Sequence, residues 1–346
     1  MVFNRDIWAL QICYNIDEIT EETDLSQTTR DFNCNWMLPL TSSTTSWQDI
    51  NANQYERRFY KIKTICSVLG FNPINLSNET VGKYEVPLYR VDINGQNIND
   101  RFSIPLLPKN NDTHVVLKSL GKGRGKGNDD FSYATCNEED FVGNYTNVWE
   151  WDIDRYFSSG RDSSAATLFY KSDALCPYYL SDVYDLKNIS TGRYYEVYMS
   201  ENDTLVNVGK VIMKFIDQLY SDVEPFEIRR SPFGSTLTYN KTVEDGLSDI
   251  GNGRGTDNDH PDASQWDTCT GDSADDFVGF YTDVRSFDGK IGEWRIYVPD
   301  MFCGAYSQTD ICTDDGCIEG EINVTPGEAY LVNMTEDKTL TFEHGE

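Results

Sequence analysis

The chain has 346 residues, with 57 acidic against 29 basic side chains and a formal net charge of −28 at pH 7. That length exceeds one typical core and implies two or three domains. The negative field repels phosphate backbones, which argues against nucleic acid as a partner, and no run of 18 apolar residues is present to form a membrane-spanning helix.

The first residues, MVFNRDIWALQICYN, lack the basic region and long apolar core of a signal peptide. Residues 7–16 are apolar and leave two readings open. They form the first strand of their own module, or a strand added to a neighbouring subunit's sheet edge, with Ile7, Trp8, Leu10, Ile12 and Tyr14 as assembly residues. Further on, Asn78-Glu-Thr-Val-Gly82 precedes Tyr84-Glu-Val86. A fuller version follows at Asn188-Ile-Ser-Thr-Gly192 with Tyr195, Val197, Met199, Thr204 and Leu205. It recurs at Asn323-Val-Thr-Pro-Gly327 with Tyr330, Val332, Met334, Thr339 and Leu340. Upstream of these, DFVGNYTNVWEWD at Asp140 is echoed by DFVGFYTDVRSFD at Asp276, and GKGRG at Gly121 by GNGRG at Gly251. Ordered echoes of this kind predict a duplication. The expected organisation is a divergent N-terminal module over 1–110 and two repeat copies over 111–235 and 236–346.

Strands dominate the local signal. YEVYM and YLVNM are short, aromatic and β-branched, and each is followed by a polar turn and a second strand. The FVG phrases half-alternate, as strands with one wet face do. Residues 208–220 read either as a helix through Val211, Phe215 and Leu219 or as a strand. The expected fold class is all-β, in tandem sandwich-like modules.

Nine cysteines are present. Their placement relative to the echoes predicts one disulfide per module, Cys34–Cys66, Cys136–Cys176 and Cys269–Cys303, with Cys312–Cys317 as a local loop and Cys13 left over; buried free thiols are the alternative. Nine Asn-x-Ser/Thr sites are candidates for N-linked glycans: Asn75, Asn78, Asn111, Asn144, Asn188, Asn202, Asn240, Asn323 and Asn333. Asn188 and Asn323 hold matching turn positions. Cysteines and glycan sites together predict an extracellular home.

Signs of catalysis are lacking. The three histidines, His114, His260 and His344, are far apart in sequence, and neither H-E-x-x-H nor G-x-S-x-G occurs. The Gly-rich strings lack the Gly-Lys-Ser/Thr of a phosphate loop. Calcium is the one cofactor considered, through Asp257, Asp259 and Asp262 in one loop and Asp272 and Asp275 in another, and an ordinary polar loop is the alternative.

The phrase G-x-x-Y-x-V-x-M-x-x-x-x-T-L, at Gly192 to Leu205 and Gly327 to Leu340, resembles a β-rich module of archaeal and bacterial secreted and cell-surface proteins, S-layer-like or filamentous. The resemblance covers most of residues 130–220 and 265–344 and implies a structural, often glycosylated role with no catalytic residues. The expected function is a self-associating subunit of an extracellular glycosylated filament or surface coat. The alternative is a monomeric adhesin or carbohydrate-binding protein, with Trp149, Trp151 and Trp294 stacking on sugars.

Overall fold

The structure is a computed structural model that describes residues 9–15, 32–35, 54, 57–65, 74–76, 80–93, 95–120, 144–161, 167–171, 186–221, 223, 230–250, 280–297, 317–319 and 322–343. In chain order the first strands are β1 (Ala9–Asn15), β2 (Phe32–Asn35), β3 (Arg57–Ile65), β4 (Ile74–Leu76) and β5 (Val81–Leu88). Short strands follow as β6 (Val91–Ile93), β7 (Gln96–Ile98), β8 (Asp100–Phe102) and β9 (Leu107–Pro108). A helical turn α1 (Thr113–Val116) runs into a 3-10 turn over Leu117–Leu120. Next come β10 (Tyr145–Trp151), the short helix α2 (Ile153–Ser158), β11 (Thr167–Lys171), β12 (Tyr195–Met199) and β13 (Asp203–Lys210). The remainder comprises β14 (Lys214–Leu219), β15 (Ser231–Gly234), β16 (Lys241–Thr242) and helical turn α3 (Val243–Gly246). It ends with β17 (Tyr281–Asp288), β18 (Glu293–Tyr297), β19 (Cys317–Glu319), β20 (Asn323–Val324), β21 (Ala329–Met334) and β22 (Lys338–Glu343).

The fold is all-β with several small, mostly antiparallel sheets, and no closed barrel or sandwich forms among the described residues. One sheet runs β2-β1-β3-β5-β13-β9, with β4 also on β3. A four-stranded sheet, β11-β10-β12-β8, lies across a shared core from β5 and β13. Tyr84, Val86 and Leu88 of β5 and Leu205 of β13 meet Phe102, Val148, Tyr195, Val197 and Met199 there. The alternation of buried and half-buried residues along β12 reflects its single core face. We call this the first sheet pair.

A second sheet pair uses β14-β22 against β15-β21-β17-β18-β19. Its core joins Leu219, Leu340 and Phe342 to Phe233, Val284, Tyr330, Val332 and Met334. Residues 208–220 therefore resolve as the end of β13 and the strand β14, not a helix.

Local features recur at the positions of the repeated phrases. β10 and β17 each carry a register shift, at Tyr145/Asn147 and Tyr281/Asp283. The rings of Phe102 and Tyr195 stack with centroids 5.3 Å apart, and those of Phe233 and Tyr330 with centroids 5.1 Å apart. Each tyrosine hydroxyl then pins the turn before its strand. Tyr195 Oη accepts from Ser190 N at 2.6 Å and donates to Ser190 O at 3.2 Å. Tyr330 Oη accepts from Thr325 N at 2.7 Å and lies 2.9 Å from Asn323 O.

The disulfide expectation is corrected. No disulfide is found among the described residues, and the β1–β2 register sets Cys34 opposite Cys13 instead of drawing it to Cys66. Cys317 lies on β19 in register with Trp294. Cys66, Cys136, Cys176, Cys269, Cys303 and Cys312 lie outside the described residues. What joins the described strands is their main-chain ladders and the buried side chains between sheets.

Both tyrosines are fully buried with their hydroxyls bonded, so Tyr195→Phe and Tyr330→Phe each strand a turn amide. Each substitution is expected to cost about 1–3 kcal/mol, read as a lower urea midpoint. A neutral result at either position would show that the hydroxyl does not hold its turn.

Candidate functional site

The two sheet pairs approach so closely that main chain bonds to main chain. Ser103 N donates to Gly327 O at 2.8 Å, and Gly234 N donates to Gly192 O at 2.8 Å. Ser103 follows Phe102 as Gly234 follows Phe233, and Gly192 and Gly327 hold the same place in the repeated phrase. The two bonds are therefore reciprocal, as across a two-fold interface. The Ser103 hydroxyl fits between Glu328 O at 2.9 Å and Ser235 O at 3.3 Å.

Glycine makes this approach possible. Gly192 and Gly327 have φ of +75° and +82°, a region that side chains disfavour. A Cβ on Gly192 would stand 2.3 Å from the Phe215 ring of β14, and one on Gly327 would stand 2.6 Å from Val86 of β5. One on Gly234 would meet Ser103 Cβ at 2.4 Å. Beside the glycines, Tyr194, Ala329 and Leu331 form an apolar cluster with Trp151 and Trp294. That contact explains why β21 is buried on both faces.

The seam has two mouths, and the chain treats them differently. At one, α2 follows β10, capped by the Asp152 carboxylate accepting from Arg155 N at 3.0 Å. Its Ile153, Tyr156 and Phe157 pack with Tyr220 and Val223. Arg193 reaches Asp154 at 3.1 Å and Asp217 at 3.7 Å, and Tyr220 Oη donates to Asp154 at 3.1 Å. At the other mouth the corresponding connection is the tight turn from Asp288 to Glu293, with positive φ at Gly292. Among the described residues no helix fills the space. A cavity of about 370 Å³ remains, lined by Tyr84, Tyr89, Asp100, Gly289, Lys290 and Glu328 among others.

The cavity floor is charged and fixed. Asp100, 3 % exposed, accepts from Tyr89 N at 2.7 Å and Arg101 N at 2.8 Å. Burial pushes its carboxyl up to about 6 against those bonds. Glu328 Oε2 accepts from Tyr330 Oη at 2.8 Å and Ser286 Oγ at 3.2 Å, and burial raises its carboxyl too. The Arg101 guanidinium lies over Phe287 at 4.1 Å and Trp294 at 5.0 Å. Arg295 pairs with Asp288 at the rim. The arrangement offers fixed acceptors, cationic donors and aromatic edges to a small polar molecule.

Compared with known proteins, the chain matches no family model, no curated protein and no solved structure. What is shown is an all-β, multi-sheet fold, and nothing in these comparisons ties it to a family of surface proteins.

The sequence-predicted sites distribute unevenly. Asn111, Asn188, Asn202, Asn240 and Asn323 are exposed, and Asn144 and Asn333 are half-buried. Asn144 Nδ2 donates to Asp203 at 2.9 Å, while Asn202 Oδ1 accepts from Arg90 N at 2.8 Å. Asn75 lies on β4, and Asn78 is outside the described residues. Asn188 and Asn323 make matching bridges, to Asp112 and Thr242, the residues just before α1 and α3. Leu10, Ile12 and Tyr14 lie on β1, which pairs with β2 on one side and β3 on the other within its own sheet. Ile7 and Trp8 lie outside the described residues, as do Asp257, Asp259, Asp262, Asp272 and Asp275. Among the described residues no group of three or more His, Cys, Asp or Glu is placed to hold a metal, and no helix is long and apolar enough to cross a membrane. Trp151 and Trp294 pack at the seam.

Sequence reading missed Asp100, Arg101, Gly289 and Glu328. Only Glu328 had a usable signal, its position directly after the repeated glycine.

Three buried seam carboxyls set the pH response. Glu150 is pushed up to about 7 by burial, opposed by Arg193, and Asp217 to about 6 by burial, opposed by the same arginine. Asp100 reaches about 6. Their unfolded values are 4.5, 3.8 and 3.8. Between those values and the folded ones, the native state holds protons that the unfolded chain releases. Stability contributed by these groups is therefore fully present below the unfolded values and is lost as pH rises through 6 to 7. The melting temperature is expected to rise by roughly 5 °C from pH 7.5 to pH 5, and Glu150→Gln should flatten the trend. A melting temperature that falls over this range would contradict the assignment.

Proposed function

We propose that this chain is a structural subunit of an extracellular, glycosylated coat or filament, built around two copies of one β module locked together at a reciprocal seam. The observation that carries the reading is the pair of matching main-chain bonds, Ser103 to Gly327 and Gly234 to Gly192. Such a joint fixes one module on the other as subunits of a dimer are fixed, which suits a construction element. The paired strand orders, register shifts and buried tyrosines support duplication. The N-terminal strands then belong to a divergent third module that extends the β5–β13 sheet.

Surface chemistry supports the placement. Asn188 and Asn323 are exposed at equivalent bridges, so glycans there would leave both cores undisturbed. A net charge of −28 keeps uncontacted faces apart in solution. The reading involves no catalysis.

Electron microscopy of native material, with intact-mass analysis, tests it. Regular fibres or lattices and a mass above the 39.5 kDa polypeptide, with sugar at Asn188 and Asn323, are expected. Dispersed single particles of unshifted mass would overturn it.

A further inference from the structure

We infer that the open mouth of the seam is a saccharide-binding site, and that a sugar ring seals there what α2 seals at the other mouth. The comparison between mouths carries the idea. Tyr220, just past β14, and Asp217 within it correspond to Tyr89, just past β5, and Val86 within it, by the offset that relates Phe233 to Phe102. At the β14 side, the space beside Tyr220 is taken by the chain itself. The Phe157 and Tyr220 rings lie 4.4 Å apart, and Asp154 bonds both Tyr220 and Arg193. At the β5 side, Gly289 follows Asp288 where Ile153 follows Asp152, and the connection turns back at once. A methyl group at Gly289 would stand 2.2 Å from Asp100 Oδ1, so the turn packs closely on the Asp100 carboxylate, and both residues line the cavity.

The lining selects the ligand class. Carboxylates of Glu85, Asp100, Asp288 and Glu328 are nearly balanced by Arg101, Lys290 and Arg295. Asp100 and Glu328 on the floor disfavour a phosphate or other polyanion, and no metal-holding cluster of His, Cys, Asp or Glu occurs among the described residues. A neutral molecule rich in hydroxyls suits the remaining chemistry. Each carboxylate has about four acceptor sites. The two main-chain donors leave Asp100 capacity for hydroxyls, and both bonds to Glu328 fall on Oε2. Lys290 is exposed at the rim as a donor, and the half-buried Tyr89 supplies apolar ring surface for the C–H face of a sugar. The volume of about 370 Å³ lies at the small end of ligand pockets, appropriate to one or two rings.

Two sources provide that chemistry. Asn240 and Asn323, both in Asn-x-Thr sites and both exposed, themselves line the cavity. A glycan on either has its first rings at the mouth. This source rests on the glycosylation in the proposed function, whereas a free or neighbouring saccharide does not.

The test has two arms, both on the full chain. In the first, glycosylated protein from its native source is compared as Asn323→Gln, Asn240→Gln and Asn188→Gln, the last removing a site that does not line the cavity. Seating of the chain's own glycan predicts that Asn323→Gln or Asn240→Gln lowers the melting temperature by ~3 °C or more, with Asn188→Gln unchanged. In the second, unglycosylated chain is titrated with glucose, galactose, mannose and N-acetylglucosamine, followed by saturation-transfer NMR. A free-saccharide site predicts binding of at least one of them, about tenfold weaker in Glu328→Gln and lost in Tyr89→Ala, a half-buried position that gives a second variant if the first misfolds. Native protein lacking glycans would overturn the glycan part of the proposed function and leave the second arm to decide the site. Equal melting temperatures for the three asparagine variants, together with no saccharide binding, would overturn the inference.

Discussion

Everything distinctive in this molecule depends on how near two backbones come at Ser103, Gly192, Gly234 and Gly327. Where main chain bonds to main chain at 2.8 Å across the two sheet pairs, a Cβ at Gly192, Gly234 or Gly327 would stand within 2.6 Å of a neighbouring atom. That constraint explains glycines at three of the four positions, and at the fourth a serine whose hydroxyl satisfies neighbouring carbonyls. Beside the joined loops, Tyr194, just before β12, and Ala329 and Leu331 of β21 are buried together with Trp151 and Trp294 in a cluster apart from the two sheet-pair cores.

The same approach buries charge. Asp100, Glu150, Asp217 and Glu328 all lie at or beside the seam, where desolvation disfavours their ionised forms. Each is held by local donors or by Arg193, so the cost is reduced without being cancelled. The two mouths differ in a single connection. Six helical residues after Asp152 fill a space, and a tight turn after Asp288 leaves it open. Lengthening or shortening that connection changes the interface without disturbing either β framework.

How much of this was legible in the sequence follows from the range of each interaction. The hairpins at 195–210 and 329–343 were readable because alternation and aromatic content are local, and the matching of Tyr195 with Tyr330 was visible in the phrases themselves. The helical turns at Thr113 and Val243 escaped, since four residues cannot display a helical period. Residues 208–220 were ambiguous because Val211, Phe215 and Leu219 fit a helix as well as a bent strand. β5 pairs with β13 over more than a hundred residues of intervening chain, and no local pattern announces such a partner. Asp100 and Arg101 sit in the polar run Asn99 to Arg101, where nothing distinguishes a buried carboxylate from a solvated one. The cysteine reading failed for a related reason: spacing along the chain says little about register across it, and register sets Cys34 opposite Cys13.

The pairing of β14 with β22 places Lys214 opposite Glu343 and Leu219 opposite Lys338. The chain therefore enters and leaves the second sheet pair at the same end of one ladder, where Lys214 and Glu343 form an ion pair. β5 and β13 repeat the geometry, with Val81 opposite Lys210. Tension applied along the backbone would peel such a ladder open one rung at a time instead of shearing all its rungs together. A pull on the two strand ends of either ladder is therefore met by one rung at a time.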